Sequence, residues 1–151
     1  MKERIEYDKV SPGGYQAMLA LEKHLAECTI DAKLQNLIKL RASQINGCAY
    51  CIDMHWKDAR AGGESELRLY ALDAWREYPN YTDRERAALA WTESLTRLVD
   101  RVPDAVYELA RKHFSEAELA DLTYAVVTIN AWNRIAISMR SVPGLYQPEA
   151  S

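Results

Sequence analysis

The chain has 151 residues, 48% of them hydrophobic and 27% charged, with a formal net charge of −3 at pH 7. This is the composition of one globular domain long enough to bury its own core, without the basic excess that neutralises nucleic-acid phosphates. Met1 to Asp8 contains no apolar signal core and no apolar run in the chain is long enough to span a bilayer, so a soluble, cytoplasmic protein is expected.

Helical periodicity runs almost from end to end and period-two alternation is scarce, which predicts an all-α fold. Ser11-Pro12 reads as an N-cap followed by proline at the first helical position, opening a helix to about Cys28. Asp31 caps a second helix, whose Leu34, Leu37, Ile38 and Ile45 recur at helical spacing until Asn46-Gly47 breaks it. A third helix is expected from Cys48 to Gly62-Gly63. A fourth runs from Ser65 past Leu72 with Trp75 near its end. Thr82-Asp83-Arg84-Glu85 and Ser115-Glu116-Ala117-Glu118 both fit capping boxes, and Val102-Pro103 opens a short helix between the two elements they start.

The last long helix, Leu119 to about Met139, is apolar nearly all round between Ala125 and Trp132. Such a helix is central or covered by a neighbouring subunit. The four tryptophans read as core or interface residues. No linker or repeat divides the chain, so residues 1–151 form a single domain with a loose tail from residue 144.

The most informative window is Asn46-Gly47-Cys48-Ala49-Tyr50-Cys51-Ile52-Asp53-Met54-His55. On a helix, two thiols three residues apart can join as a disulfide, and an imidazole four residues beyond Cys51 shares its face. Three cysteines cannot all pair within one chain, and a close pair in a reducing compartment is more often catalytic or metal-binding than a staple. The first turn of a helix stabilises a thiolate, and His55 can accept the Cys51 proton. Cys51 therefore has the better claim to be the nucleophile, with Cys48 as the partner that resolves its oxidised sulfur. A zinc site is the alternative chemistry for two cysteines and a histidine, and it needs Cys28 or His24 as a fourth ligand. Two small buried hydrophobes are the bland one.

The stretch from Leu37 to His55, followed by Ala59-Arg60-Ala61-Gly62, resembles the carboxymuconolactone decarboxylase and alkyl hydroperoxidase D (AhpD)-like family. So do Thr82 to Glu93 and Ile129-Asn130-Ala131-Trp132-Asn133-Arg134. The resemblance implies a helical bundle with its redox Cys-x-x-Cys at a helix N-terminus, assembled as a trimer or hexamer. It also implies a thiol peroxidase acting on hydroperoxides with no metal or prosthetic group.

In the family's best understood members the second cysteine attacks, the first resolves and the histidine joins a proton relay, roles that fall on Cys51, Cys48 and His55. The reductant implied is a protein dithiol, lipoyl-bearing or thioredoxin-like. Where the family relay has a glutamate twelve residues before the first cysteine this chain has Asn36, which hydrogen-bonds but cannot accept and return a proton. Tyr50 stands where some members have a second histidine, and Glu93 is a carboxylate that the relay could recruit. The alternatives to a peroxidase are a decarboxylase of a lactone acid, which does not depend on a cysteine pair, and a non-catalytic redox-sensing protein.

Overall fold

The computed structural model describes residues 2–99 and 101–148. The described residues form eight α-helices: α1 (Tyr7–Val10), α2 (Pro12–Glu27), α3 (Ala32–Asn46), α4 (Ala49–Ala61), α5 (Glu66–Tyr70), α6 (Asp83–Arg97), α7 (Asp104–His113) and α8 (Glu116–Met139). A 3₁₀ turn, Leu72–Ala74, follows α5. The all-α expectation holds. Among the described residues no helix is long and apolar enough to cross a membrane.

Local chemistry explains the boundaries. Asp31 accepts the backbone N–H of Leu34 at 2.9 Å and starts α3. Gly47 ends that helix at φ +68°, a left-handed conformation that a side chain disfavours. Both capping boxes form, Thr82 with Glu85 and Ser115 with Glu118. Two details depart from the sequence reading. Ser11 precedes Pro12 but makes no side-chain cap, and the helix expected from Ser65 to Trp75 breaks at Ala71 into α5 and the 3₁₀ turn.

The centre of the bundle is α3, not the apolar part of α8. Every residue of α3 from Leu37 to Ser43 is buried, because the helix packs against α4, α6 and α8 at once. On α8, Ala125, Val126 and Ile129 are buried while Tyr124 and Val127 are each 52% exposed. The apolar core falls into three parts around α3. Leu25, Ile38, Trp91, Phe114 and Leu122 pack on one side, and Leu37, Leu40, Trp75, Tyr81 and Leu89 on another. Ala42, Cys48, Cys51, Ile129 and Ala136 form the third, so the cysteines sit inside the core where α3, α4 and α8 meet.

The expected tail begins with ordered contacts: Gly144 N–H donates to Asp53 Oδ2 at 3.0 Å and the Tyr146 hydroxyl to Asp58 Oδ1 at 2.6 Å. Both bonds tie it to α4. Residues 149–151 of that tail lie outside the described residues.

Candidate active site

The turn between α3 and α4 presents the cysteines. After the left-handed Gly47, the N–H of Cys48 donates to Ser43 O at 3.0 Å, closing the end of α3. Cys48 is then the N-cap of α4: its sulfur accepts the backbone N–H of Cys51 at 3.4 Å. The two cysteines are joined as a disulfide, with Cα atoms 5.3 Å apart. A thiolate at either position lies in the first turn of α4, at the positive end of the helix.

A polar cluster holds this turn against α8. Asn46 Nδ2 donates to Asn130 Oδ1 at 3.0 Å and to Asn133 Oδ1 at 2.8 Å, and Asn133 Nδ2 donates to Ser43 Oγ at 3.0 Å. Asn130 Nδ2 reaches Thr96 on α6, and Arg134 donates to Asn130. These groups form a hydrogen-bonded cluster beneath the cysteine turn.

Beside the pair lies a cavity of about 310 Å³. Cys51 and His55 line it from α4, and Asn36 and Lys39 from α3. Tyr15 and Glu22 of α2, Trp132 of α8 and Tyr50 complete most of its wall, which makes the space aromatic with a few polar groups. Cys48 does not line it. The two sulfurs are thus unequal: Cys51 faces the cavity and Cys48 lies behind it.

His55 is 6% exposed, and among the described residues its Nδ1 has no hydrogen-bond partner. Burial, and secondly the positive charge of Lys39, push its pKa down from 6.5 to about 3. The ring is therefore neutral at pH 7 and carries one unprotonated nitrogen. For the same reason the 4.0 Å approach of Asp58 Oδ2 to Nδ1 is not an ion pair at that pH. Asp58 itself has a raised pKa because it is partly buried, an effect that the Tyr146 hydroxyl and Lys39 oppose. Burial likewise raises Tyr50, so its phenol stays protonated around neutrality.

Of the residues singled out in the sequence, Cys51, His55, Asn36 and Tyr50 come together around the cavity. Glu93 does not join them. Its carboxylate accepts from Arg41 Nε at 2.8 Å and Trp75 Nε1 at 2.9 Å, and pairs with Arg76 and Arg97. Burial works against the charge, but these donors hold Glu93 below the usual carboxylate range. Its lone pairs serve α3 and the segment after α5.

Among the cavity residues that escaped the sequence reading are Lys39, Glu22 and Trp132. Lys39 Nζ donates to Glu22 Oε2 at 2.7 Å, and Glu22 Oε1 accepts Trp132 Nε1 at 3.0 Å. A lysine inside the run Leu37-Ile38-Lys39-Leu40 was the available signal, since an apolar helix face rarely carries one without a partner. Among the described residues no group of three or more His, Cys, Asp or Glu could hold a metal ion. Cys28 instead receives Gln35 Nε2 at 3.6 Å, and His24 meets Asp121.

The pattern of the Carboxymuconolactone decarboxylase family matches residues 12–94. The uncharacterized protein YdfG of Bacillus subtilis (strain 168) is 44% identical over 140 residues, 92% of this chain and 95% of its own. A crystal structure from Agrobacterium tumefaciens, of a protein of unknown function suggested to be the antioxidant defence protein AhpD, superposes with a TM-score of 0.92. It is 43% identical, and 96% of this chain and 100% of that one are covered. An uncharacterized peroxidase-related protein of Ralstonia eutropha JMP134, with an alkylhydroperoxidase AhpD core, shares the fold at a TM-score of 0.81. Its identity is 20%, over 91% of this chain and 74% of that one. The chain belongs to the carboxymuconolactone decarboxylase family, among its AhpD-like members.

Proposed function

We propose that the protein is a thiol-dependent peroxidase of the alkyl hydroperoxide reductase type, cycling Cys48 and Cys51 between dithiol and disulfide. The observation that carries this reading is the inequality of the sulfurs: Cys51 lines the cavity with a neutral His55 one turn further along the same wall. The suggested antioxidant role of the Agrobacterium relative points the same way.

In the reduced protein His55 takes the Cys51 proton, and the thiolate attacks one oxygen of the hydroperoxide. The O–O bond breaks, its electron pair leaves with the other oxygen, and that oxygen is protonated to an alcohol. Cys51 is left as a sulfenic acid. The Cys48 sulfur then attacks the Cys51 sulfur, expels water and forms the disulfide. A protein dithiol, lipoyl-bearing or thioredoxin-like, restores both thiols by exchange and is itself oxidised. No metal or prosthetic group takes part in this scheme, and a reducing cytoplasm suits its resting state.

The working unit we propose is a homo-oligomer, a trimer or hexamer. The exposed side chains of Tyr124, Val127 and Ile137 on α8, with Leu98 and Val99 after α6, support an apolar contact between copies.

The test is a thiol count on reduced protein before and after one equivalent of cumene hydroperoxide. Two thiols lost within seconds, a sulfenic acid trapped in Cys48→Ser and an inert Cys51→Ser are expected. Thiols that persist in the wild type would overturn the reading.

A further inference from the structure

Lys39 is an ammonium group on the central helix, 7% exposed, where Ile38 and Leu40 beside it are fully buried apolar residues. Packing alone does not call for a charge here, because desolvating one costs several kcal/mol before any partner is counted. The partner is built with care. Glu22 reaches across from α2 to accept from Nζ at 2.7 Å, and its other oxygen is fixed by Trp132 Nε1 at 3.0 Å from α8.

Three helices thus converge to hold one ammonium in the wall that also carries Cys51 and His55. An ammonium has three N–H donors. Among the described residues Glu22 is its one hydrogen-bond acceptor, which leaves two donors for whatever enters the cavity. Asn36, one turn before Lys39 on the same helix, lines that space too but has no proton to transfer.

We infer that Lys39 is the general acid of peroxide cleavage in this protein, with Glu22 and Trp132 as the residues that position it. The inference rests on the peroxidase reading and supplies the proton that reading requires. As the Cys51 thiolate bonds to one peroxide oxygen and the O–O bond breaks, the leaving oxygen takes a proton from Nζ and departs as an alcohol. The imidazolium of His55, which holds the proton from the Cys51 thiol, then returns it to the lysine amine. The sum is a thiol and a hydroperoxide giving a sulfenic acid and an alcohol, with both bases restored.

The substrate class follows from leaving-group chemistry. An alkoxide or hydroxide leaves poorly without a proton, whereas the carboxylate of a peroxycarboxylic acid leaves well alone. Lys39 therefore suits alkyl hydroperoxides and is dispensable for peracids.

The experiment compares single-turnover oxidation of Cys51 by cumene hydroperoxide and by peracetic acid in wild type, Lys39→Met, Lys39→Arg and Glu22→Gln. The ratio of the two rates within one preparation cancels any loss of folded protein. Lys39→Met is expected to lose about 100-fold with the hydroperoxide and less than about threefold with the peracid. Lys39→Arg keeps the charge without a transferable proton and should share the defect, with Glu22→Gln falling between. Equal losses with both oxidants, or a full rate in Lys39→Arg, would overturn the assignment. A wild type that reacts with neither oxidant removes the peroxidase reading itself.

Discussion

The sulfur of Cys48 accepts the backbone N–H of Cys51 at 3.4 Å, so the cysteine proposed to resolve the sulfenic acid is also the N-cap of the helix that carries the proposed nucleophile. Folding and chemistry draw on one atom. Serine caps helices well and alanine does not, so under reducing conditions Cys48→Ala should be about 1 kcal/mol less stable than Cys48→Ser. Urea denaturation of the two variants measures the difference. Equal midpoints would mean that a capping side chain at position 48 contributes nothing to stability.

His55 makes stability depend on pH in a defined window. Its pKa of about 3 in the folded protein lies below the ordinary 6.5, so the unfolded chain binds the extra proton between those values. Stability from this group is complete above pH 6.5 and is lost as pH falls toward 3, by about 2 kcal/mol at pH 5 relative to pH 7. His55→Gln should flatten the denaturation midpoints between pH 7 and 5. If the variant keeps the wild-type slope, the imidazole is not the group responsible.

Asn133 is fully buried and both ends of its amide are used, Oδ1 by Asn46 and Nδ2 by Ser43. Ser43 cannot reverse its role, because its own hydroxyl donates to Lys39 O at 2.7 Å. Asn133→Ala should cost about 2 kcal/mol by leaving these partners unpaired. Asn133→Asp should be little better, since a carboxylate cannot donate to Ser43. Thermal or chemical denaturation reads both. A neutral Asn133→Asp would show that the bond to Ser43 is expendable.

The local elements were legible because their causes are local. Asp31, Gly47, Thr82 and Ser115 act within four residues of themselves, and all four mark the helix ends where the sequence places them. The Cys48, Cys51 and His55 spacing is of the same kind, one turn of one helix. Packing set the limits of this reading. The apolar stretch of α8 suggested a helix either central or covered by a neighbouring subunit; α3 holds the centre because it contacts α4, α6 and α8 together and has its two buried charges matched, Lys39 by Glu22 and Arg41 by Glu93.

What the sequence by itself determined is an all-helical chain with a dithiol and an imidazole on one face at a helix start. Those features rest on hydrogen bonds and periodicities that span a few residues. Only the tertiary structure decided that Cys51 rather than Cys48 meets the cavity, that Glu93 serves an arginine cluster, and that Glu22, Lys39 and Trp132 share one wall. Glu22 and Trp132 are 110 positions apart. No pattern within a single helix encodes such a meeting, because it arises from the angles at which α2, α3 and α8 bury their apolar faces against one another.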